Sequence, residues 1–390
     1  MTFTLTAQQV ADQERFRAFS DERIAPFADA WDREERFPPE MIRAMASEGF
    51  LGAVVPRDSG GTGSDMITFG LLHEQIGRGC SSARSLLTVH SMATYAVHRW
   101  ASRALKAKYL AALVEGGLIG AFGLSEPNVG SDAGAIETTA RPDGDRYLLS
   151  GCKKWTTFGQ VADLFLVFAR CDGKHTAFLV ERDTPGLTVK PLGGILGTRA
   201  SMLAELRLEE CAVPKANQIG GLGFGLAAIA TSALDIGRYS VAWGSVGIAQ
   251  ACLEASVRYS SERRQGGALL KEHQLIRQLI SQMLTNVSAA RLLCLQAGAL
   301  KDSGNPNTVM ETWVAKYFAS TTAMKAALDA VQIHGANGCS ADYAVQRYMR
   351  DAKVMEIIEG STQLQEITIA EYAYASQAAA QRAHQRQEPA

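Results

Sequence analysis

The hydrophobic pattern of this chain changes twice between the helical and the strand period, and this change constrains the fold more than any other feature. In the first third, apolar residues recur at helical spacing, for example at Met41, Ile42 and Met45. Across 118–189, short apolar runs bounded by Gly, Pro and Asp are typical of strands instead. After the glycine-rich loop 220–225, helical spacing returns and persists. The pattern predicts an α+β protein that is mainly α.

We predict three domains in that order: an amino-terminal helical domain, a small central β-domain and a carboxy-terminal helical bundle. A length of 390 residues allows two to three domains of about 150 residues each. The predicted boundaries are 1–118, 119–222 and 223–375, and 376–390 is expected to be a frayed or disordered tail. The uncharged part of 216–234 approaches membrane-spanning length, but its glycines and polar residues favour a loop followed by a buried helix.

The composition excludes several classes of protein. Lys plus Arg (39) nearly balances Asp plus Glu (40), so no overall field attracts nucleic acid or an anionic membrane. The seven cysteines show no C-x-x-C spacing, which argues against a disulfide framework or a zinc cluster and indicates a reducing, cytoplasmic location. The amino terminus lacks the pattern of a signal peptide. No metal-ligand spacing occurs among the histidines, and no G-x-S-x-G elbow supports a hydrolase.

Glu359 is the strongest candidate for a catalytic group. It follows the apolar residues Ile357 and Ile358 and precedes Gly360, where one predicted helix gives way to another. A carboxylate leaving an apolar stretch has a desolvated charge and a raised pKa, which suits a general base at neutral pH. Thr362-x-x-Gln365 is interpreted as a capping box, and the amides of 361–363 suit an anion. The alternative is an ordinary solvated glutamate before a helix cap.

Two further segments combine small, aromatic and hydroxyl-bearing residues. In 120–134, Gly130, Ser131 and Gly134 would let backbone amides approach a phosphate, although most such strings are simple turns. In 154–159, an aromatic ring and hydroxyl groups suit a planar ligand, with a tryptophan of the core as the alternative.

The segment Leu234-Asp-Ile-Gly-Arg238 places an acid and a base three residues apart on a predicted helix. Asp235 and Arg238 either form a surface ion pair or leave the arginine free to face a ligand. His90, His98 and His334 lie in apolar surroundings, where histidines are more often satisfied core residues than ligands.

Taken together, these segments resemble the acyl-CoA dehydrogenase family of flavoproteins. The resemblance covers about residues 5–373. The matching segments, in chain order, are FPPE through GG in the first domain, GAFGLSEPNVGSDAG, KKWTTFGQVAD, LDIGR, SERRQGGALLKEHQ, QIHGANG and RDAKVMEIIEGSTQLQ. The family implies a helical domain, a central β-domain built as a barrel or sandwich, and a carboxy-terminal four-helix bundle.

The resemblance also implies the cofactor FAD and assigns roles to individual residues. Glu359 corresponds to the base that removes the α-proton of an acyl thioester while the β-hydride passes to flavin N5. Residues expected to contact FAD within one subunit are Phe122, Leu124, Ser125, Ser131, Trp155, Thr157, Ser361 and Gln363. Residues expected to reach the FAD of a neighbouring subunit are Arg263, Gln332 and Ala336. Asp235 and Arg238 are expected to face the pantetheine arm of the thioester.

Several positions depart from the family pattern. Gly266 replaces an aromatic residue, Ala336 replaces a glycine, and Cys339 stands where an aromatic or aliphatic residue is expected, so the packing of FAD between subunits is expected to differ. Ile358 precedes the base where an aromatic residue is frequent, and Glu366 replaces a common arginine.

These departures, together with the segment 80–92, look more similar to a branch that oxidises acyl groups tethered to a carrier protein. Members of that branch make unusual extender units in polyketide and peptide biosynthesis. His90, Ser91 and Thr94 are expected near the acyl pocket, where they would suit a short polar acyl group. The alternative is that they lie behind the residues that contact the acyl chain.

The expected partners are an acyl-CoA or an acyl carrier protein, an electron-transfer flavoprotein or other electron acceptor, and further copies of this chain in a dimer or tetramer. Neither nucleic acid nor membrane insertion is expected. Two other functions stay open from the sequence: a flavin-dependent oxidase or monooxygenase of the same fold, and a non-catalytic helical interaction protein.

Overall fold

The computed structural model describes residues 4–385 and shows helices at both ends of the chain with strands between them. This confirms the predicted α+β, mainly α fold. The helices are α1 (Ala7–Phe19), α2 (Ala28–Glu34), α3 (Pro39–Ser47), α4 (Met66–Gly79), α5 (Ser81–Trp100), α6 (Arg103–Val114), α7 (Thr231–Glu262), α8 (Gln274–Asp302), α9 (Thr308–His334), α10 (Val345–Met355) and α11 (Thr362–Gln385).

The central part of the chain forms one eight-stranded sheet, which confirms the predicted small β-domain. Its strands are β1 (Gly120–Gly123), β2 (Thr139–Asp143), β3 (Arg146–Thr156), β4 (Leu164–Cys171), β5 (Lys174–Glu181), β6 (Leu187–Pro191), β7 (Ala204–Pro214) and β8 (Gln218–Ile219). The order across the sheet is β6-β7-β3-β2-β4-β5-β8, and β1 pairs with β4 in parallel. A separate hairpin joins β9 (Arg264–Gln265) to β10 (Ala268–Leu269).

Strand β7 lies beyond the segment 118–189 in which the sequence predicts strands, although it is one of the two longest. Its residues alternate between buried apolar and exposed charged side chains, as at Leu206, Arg207 and Leu208. This alternation is the strand period, but charged residues interrupt the short apolar runs that predict the other strands. β7 pairs along its whole length with β3, so it supports the strand that carries the Trp155 segment.

The carboxy-terminal helices pack around α7, which is 32 residues long and is buried over most of its middle. Helices α4 and α5 of the amino-terminal region also pack on α7, so a continuous apolar core joins the first and last parts of the chain. Helix α11 continues to Gln385 and so includes 376–385 of the predicted tail, whose fraying stays a prediction. The remainder of the predicted tail, 386–390, lies outside the described residues.

Helix α10 is fixed to two other parts of the chain by adjacent charged residues. Arg350 Nη2 lies 2.5 Å from an oxygen of Asp32 in α2. Asp351 Oδ1 accepts a hydrogen bond from the backbone N–H of Thr198, in the loop before β7, at 2.6 Å. Because Glu359 follows the end of α10 closely in the chain, these contacts set the position of its turn.

The predicted domain boundaries fall in connections between elements, after α6 and after β8, and they stay predictions. Between β8 and α7 the chain forms a loop and then a π-helical turn, Gly225–Ala230, that runs directly into α7. Within residues 4–385, no helix is long and apolar enough to cross a membrane. The same part of the chain contains no group of three or more His, Cys, Asp and Glu side chains placed to hold a metal ion.

Candidate active site

Glu359 lies in the turn between α10 and α11, where its backbone has a left-handed conformation with φ of 56°. This conformation costs a non-glycine residue about 1 kcal/mol or more. Helix α10 already ends at Met355, so the apolar residues before Glu359 do not continue the helix as predicted: Ile357 is exposed and Ile358 is half-buried. The burial of the carboxylate therefore comes from the strained turn and from neighbouring helices.

The carboxylate of Glu359 lies against α7. A Cβ atom added at Gly237 would come within 2.6 Å of its Oε2 and within 2.8 Å of Met92 Sδ, so any side chain here would displace one or both of these groups. Oε2 is buried and has no hydrogen-bond partner among the described residues. Because a buried polar atom normally has a partner, this oxygen is available to a ligand.

Arg238 and Lys316 approach the Glu359 turn and bind its backbone; burial lowers the pKa of Lys316 to about 7, so Lys316 is only partly charged at neutral pH. Arg238 Nε donates to the backbone carbonyl of Glu359 at 3.2 Å, and its guanidinium lies 4.3 Å from the centre of the Trp313 ring. Lys316 Nζ donates to the backbone carbonyl of Gly360 at 2.7 Å. These two bonds stabilise the strained turn and leave the carboxylate free of an ion pair.

Burial raises the pKa of Glu359 to about 7, against the opposing effect of positive charge on Arg238, Lys316 and Arg84. At this pKa, about half of the carboxylates are ionised at neutral pH, which suits proton abstraction from a weak carbon acid. The sequence predicted a desolvated glutamate here. It gave no signal for Lys316, which belongs to α9 and meets the turn only through the tertiary fold.

Asp235 and Arg238 do not pair with each other. Asp235 forms an ion pair with Lys301 of α8, and its Oδ1 is buried without a partner in the described chain. The alternative of a surface ion pair between them is therefore wrong, since both side chains turn toward other elements of the bundle. Arg238 is largely buried next to the base.

The two segments expected to face the flavin lie side by side. The backbone N–H of Lys154 donates to the carbonyl of Ser125 at 2.8 Å, and Lys153 Nζ donates to the carbonyl of Leu124 at 3.2 Å. Phe122, half-buried in β1, lies 5.2 Å from the ring of Phe168 in β4.

Trp155 lies near the end of β3 with its ring toward solvent. It is 51% exposed and has a left-handed φ of 65°, so the structure excludes the alternative of a core tryptophan. Thr157 beside it is half-buried, and the buried Thr156 Oγ1 has no partner in the described part of the chain. The strand end therefore presents a largely exposed aromatic ring, with Lys154 Nζ 4.8 Å from its centre, next to an unsatisfied hydroxyl.

Glu126 and Lys153 form a buried ion pair that was not predicted from the sequence. Lys153 Nζ lies 2.6 Å from Glu126 Oε1, and both side chains are almost fully buried. The same carboxylate accepts hydrogen bonds from Thr138 and from the backbone N–H of Glu137. This pair ties the segment after β1 to the end of β3, and no sequence spacing indicates it because the partners lie far apart in the chain.

The start of α11 differs from the predicted capping box. Ser361, not Thr362, caps the helix, since its Oγ accepts from the N–H of Leu364 at 3.3 Å. Gln363 is exposed, whereas Gln365 is fully buried with both amide atoms unpartnered among the described residues. Ser131 is exposed in the loop after β1.

The three residues expected to reach a neighbouring FAD are exposed at one end of the bundle. They are Arg263, Gln332 and Ala336. The ends of α7 and α9 meet here, because the Tyr259 ring stacks on His334 with centroids 4.2 Å apart. Gly266 and Gly267 both have positive φ in the turn of the β9–β10 hairpin, a conformation that favours glycine.

His90 bonds to other parts of the fold through both of its ring nitrogens. Its ring is fully buried, Nε2 lies 2.9 Å from the carbonyl of Leu113, and Nδ1 accepts from the N–H of Gly120 at 3.1 Å. Both ring nitrogens are therefore used to join α5 to α6 and β1, which favours the alternative that His90 lies behind the residues that contact the acyl chain. Burial lowers the pKa of His90 to about 4, so the ring is neutral. Ser91 is buried in the same helix, and Thr94 Oγ1 is buried without a partner in the described chain.

These observations fit FAD. A flavin is planar and aromatic and carries hydrogen-bonding edges, and the structure offers an exposed tryptophan, an unsatisfied threonine hydroxyl and an unsatisfied glutamine amide. The segment 154–159 is also linked to the helix before the base: Phe158 N–H donates to the carbonyl of Ser201 at 2.8 Å, in the loop that binds α10 through Thr198.

Comparisons with known proteins agree with the geometry. Three family models match along the chain: the acyl-CoA dehydrogenase N-terminal domain at 6–117, the middle domain at 121–211 and the C-terminal domain at 223–374. A glutaryl-CoA dehydrogenase of Desulfococcus multivorans is 39% identical over 380 residues, 95% of this chain and 97% of that protein.

Two solved structures are also similar. The prolyl acyl carrier protein oxidase AnaB is 30% identical with a TM-score of 0.89, over 95% of this chain and 100% of that one. FkbI, for biosynthesis of the methoxymalonyl extender unit of the Fk520 polyketide, is 33% identical with a TM-score of 0.85, over 93% and 99% of the two chains. The chain belongs to the acyl-CoA dehydrogenase family and is an FAD-dependent oxidoreductase that acts on CH–CH groups.

Proposed function

We propose that this protein catalyses the α,β-dehydrogenation of an acyl thioester with Glu359 as the base. The observation that carries the proposal is the buried, unpartnered Oε2 of Glu359. Its pKa of about 7 keeps enough carboxylate to accept a proton at neutral pH. Bound FAD would supply the chemistry of accepting the β-hydride.

Each group around the turn then has a distinct task. Glu359 takes the α-proton onto Oε2, while Arg238 and Lys316 hold the turn through the carbonyls of Glu359 and Gly360. The backbone N–H of Glu359 makes no hydrogen bond within the described residues, so it is free to donate to the thioester oxygen as negative charge develops there. Trp155 and Thr157 are proposed to hold the flavin ring, and Gln365 joins them as a candidate that the sequence did not indicate.

The proposed substrate carries a short or polar acyl group, on a carrier protein in polyketide or related biosynthesis. The likeness to AnaB and FkbI supports a carrier protein as the carrier of the acyl group and supports polyketide or related biosynthesis as the pathway. The likeness to a glutaryl-CoA dehydrogenase supports a short acyl group and keeps CoA as the competing carrier. The polar interior of α5, with Thr88 and Thr94 both buried, supports a polar acyl group.

The remaining partners follow from the same proposal. Exposed Arg263, Gln332 and Ala336 support a homo-oligomer in which these residues meet the FAD of a second subunit. One similar structure is described as an electron transferring flavoprotein, which supports such a protein as acceptor. All cysteines of the described chain are free thiols, in keeping with a cytoplasmic location.

An oxidase is the second candidate, because AnaB is described as an oxidase and shares the fold. The deciding experiment offers short acyl groups on CoA and on a carrier protein to the oxidised holoenzyme without oxygen, and follows bleaching of the flavin absorbance. The proposal expects bleaching, strongest with the carrier-protein thioesters. If oxygen is then admitted and by itself rapidly reoxidises the flavin, an oxidase is favoured. Bleaching by the CoA thioesters alone would refute the preference for a carrier protein. Bleaching by none of the thioesters would refute the proposed function.

A further inference from the structure

The surface where α5 gives way to α6 carries positive charge without acidic residues of its own. Arg99 and Arg103 are exposed and Lys106 is half-buried, and none of the three forms an ion pair within the described chain. The sequence has no Asp or Glu from 75 to 114, so neither helix supplies a counter-charge after the start of α5. Arg99, Arg103 and Lys106 are called the basic patch below.

Two acidic residues from other elements approach this surface, and each has a cation beside it. Glu181 of β5 forms an ion pair with Lys108 at 2.9 Å. Asp58 interacts electrostatically with His98 of α5, and Arg57 stands next to Asp58 in the same short turn. The positive charge of the basic patch is therefore not neutralised by the described residues.

The basic patch lies at one end of the pair of helices that holds the base. Met92 of α5 and the Glu359 carboxylate meet at Gly237 of α7. From this level α5 runs about 12 Å further to its last residue, Trp100. Trp100 Nε1 donates to Ser232 Oγ, at the start of α7, at 2.9 Å. The end of α5 and the start of α7 therefore lie together on one side of the base.

The expected path of the pantetheine arm runs toward the same side. Asp235 lies on α7 between the level of the base and the start of the helix, and its Oδ1 is buried without a partner among the described residues. Tyr95 of α5 interacts electrostatically with both Asp235 and Arg99. The distance of about 12 Å along α5 is shorter than an extended pantetheine arm. An acyl group bound at Glu359 would thus place the far end of its arm beside the basic patch.

The chain that leads into α7 adds exposed apolar side chains to this surface. Leu222 and Phe224 are both exposed, and the stretch 216–234 around them carries no charge. Lys174 of β5 approaches the same loop, since its Cδ would lie 3.9 Å from a Cβ at Gly223. Exposed apolar groups bordered by unpaired cations are typical of a surface that binds an acidic protein.

We propose that the basic patch, together with Leu222 and Phe224, is the docking surface for an acidic acyl carrier protein. This docking role rests on the proposed function, because it takes Glu359 to mark the acyl end of the bound thioester. Attraction between the basic patch and an acidic carrier speeds their encounter and orients the carrier. Its pantetheine arm then enters between the end of α5 and the start of α7.

The test separates docking of the carrier protein from binding of the arm. FAD-loaded Glu359→Gln protein, which does not consume the thioester, is titrated with butanoyl-pantetheine and with the same group on an acyl carrier protein of net negative charge. We expect the carrier to bind at least about tenfold tighter at about 0.02 M salt, the range of a few exposed charge pairs acting together. Raising the salt to about 0.5 M should remove most of this ratio, because salt screens exposed charges.

Charge reversal locates the docking surface. Adding Arg99→Glu and Arg103→Glu should bring the ratio of the two dissociation constants to about one and leave the binding of butanoyl-pantetheine unchanged. The matched control, Arg43→Glu with Lys190→Glu, makes the same change of charge at exposed residues of α3 and β6 and should keep the ratio. Flavin content and melting temperature establish that the variants fold. If the double variant does not fold, Arg99→Gln and Arg103→Gln, each made singly, decide by a partial loss of the ratio.

Three results would overturn the proposal. The first is a ratio near one when the basic patch is unchanged, and the second is a ratio that survives charge reversal. The third is an equal loss of affinity for butanoyl-CoA on charge reversal, which would mean that the basic patch binds the phosphates of CoA.

The failure of this inference and the failure of the proposed function have different signatures. If thioesters bleach the flavin of the wild-type protein but the carrier binds no tighter than the bare arm, the function stands and the docking surface is wrong. If no thioester bleaches the flavin while the binding ratio holds and is lost on charge reversal, the docking surface stands and the dehydrogenase reaction is wrong.

Discussion

Two glutamates of this protein with buried carboxylates have opposite surroundings. Glu126, after β1, accepts hydrogen bonds from Lys153 Nζ at 2.6 Å, from Thr138 Oγ1 at 2.5 Å and from two backbone N–H groups. Glu359, after α10, also has cations nearby, but they bind backbone carbonyls and its Oε2 has no partner among the described residues.

The difference shows what decides the ionisation of a buried carboxylate. Burial acts to raise the pKa of both carboxylates. At Glu126 the hydrogen bonds from Lys153 and Thr138 outweigh the effect of burial, so the pKa lies below the ordinary value for a glutamate. At Glu359 burial dominates, because the positive charges act only at a distance. Glu126 is therefore a structural anion and Glu359 a group that exchanges protons.

The largest expected effect comes from removing the exchangeable carboxylate. Glu359→Gln keeps the shape of the side chain but cannot accept the α-proton, so we expect the rate of anaerobic flavin reduction to fall by about a thousandfold. Flavin content should be retained, since no predicted FAD contact is changed. Stopped-flow absorbance measures the rate, and a rate within about tenfold of wild type would exclude Glu359 as the base.

The same variant should be more stable than wild type at high pH. The pKa of Glu359 is raised from 4.5 to about 7 in the folded protein, so ionisation destabilises the fold as pH rises through this window. Above about pH 8 the cost is about 3 kcal/mol, which Gln avoids, whereas below pH 4.5 the two proteins should differ little. Chemical denaturation of both proteins at about pH 5 and about pH 8 measures this difference in the free energy of unfolding. If the difference between variant and wild type is the same at both pH values, the raised pKa is contradicted.

Glu126→Gln should have the opposite effect on stability. It leaves Lys153 buried with a charge and only the carbonyl of Leu124 as a strong acceptor, so we expect a loss of about 3–5 kcal/mol. The double variant Glu126→Gln/Lys153→Met removes both charges and should recover much of that loss. If the single variant is as stable as wild type, the pair is not what holds the segment after β1 to β3.

A smaller effect is expected from displacing the free carboxylate without removing it. In Gly237→Ala the new methyl group meets Glu359 Oε2 and Met92 Sδ, both at the ends of flexible side chains, so the fold should adjust. We expect flavin reduction to slow by about 10- to 100-fold while the stability changes by about 1 kcal/mol. A normal rate would show that the carboxylate need not lie against α7.

The sequence predicted the parts of this comparison that depend on local pattern. Helices, strands and the chemical character of Glu359 were accessible because periodicity and the Ile-Ile-Glu-Gly string are local. The motif segments also identified the family, because each is a short string and their order along the chain is specific. The sequence pattern does not fix where α11 ends, because a run of Ala and Gln carries no apolar stripe, although Ala itself is a strong helix former.

The rest depended on contacts between distant segments. Lys316 and Glu126 are ordinary charged residues until the fold brings them to Gly360 and Lys153. Asp235 pairs with Lys301, 66 residues away, rather than with its neighbour on α7. His90 was predicted to be a substrate contact because of its polarity, but its ring joins three elements of the fold. The sequence alone did not show how deeply these side chains are buried or which residues they contact in the fold.

The pH dependence of anaerobic flavin reduction tests the central claim most directly, because it reads the ionisation of Glu359 in the holoenzyme. We predict a rate that falls about tenfold per pH unit below an inflection near pH 7 and is level above it, with this inflection absent from the residual rate of Glu359→Gln. An inflection near pH 4.5, the ordinary value for a glutamate, or an unchanged inflection in the variant would contradict the account.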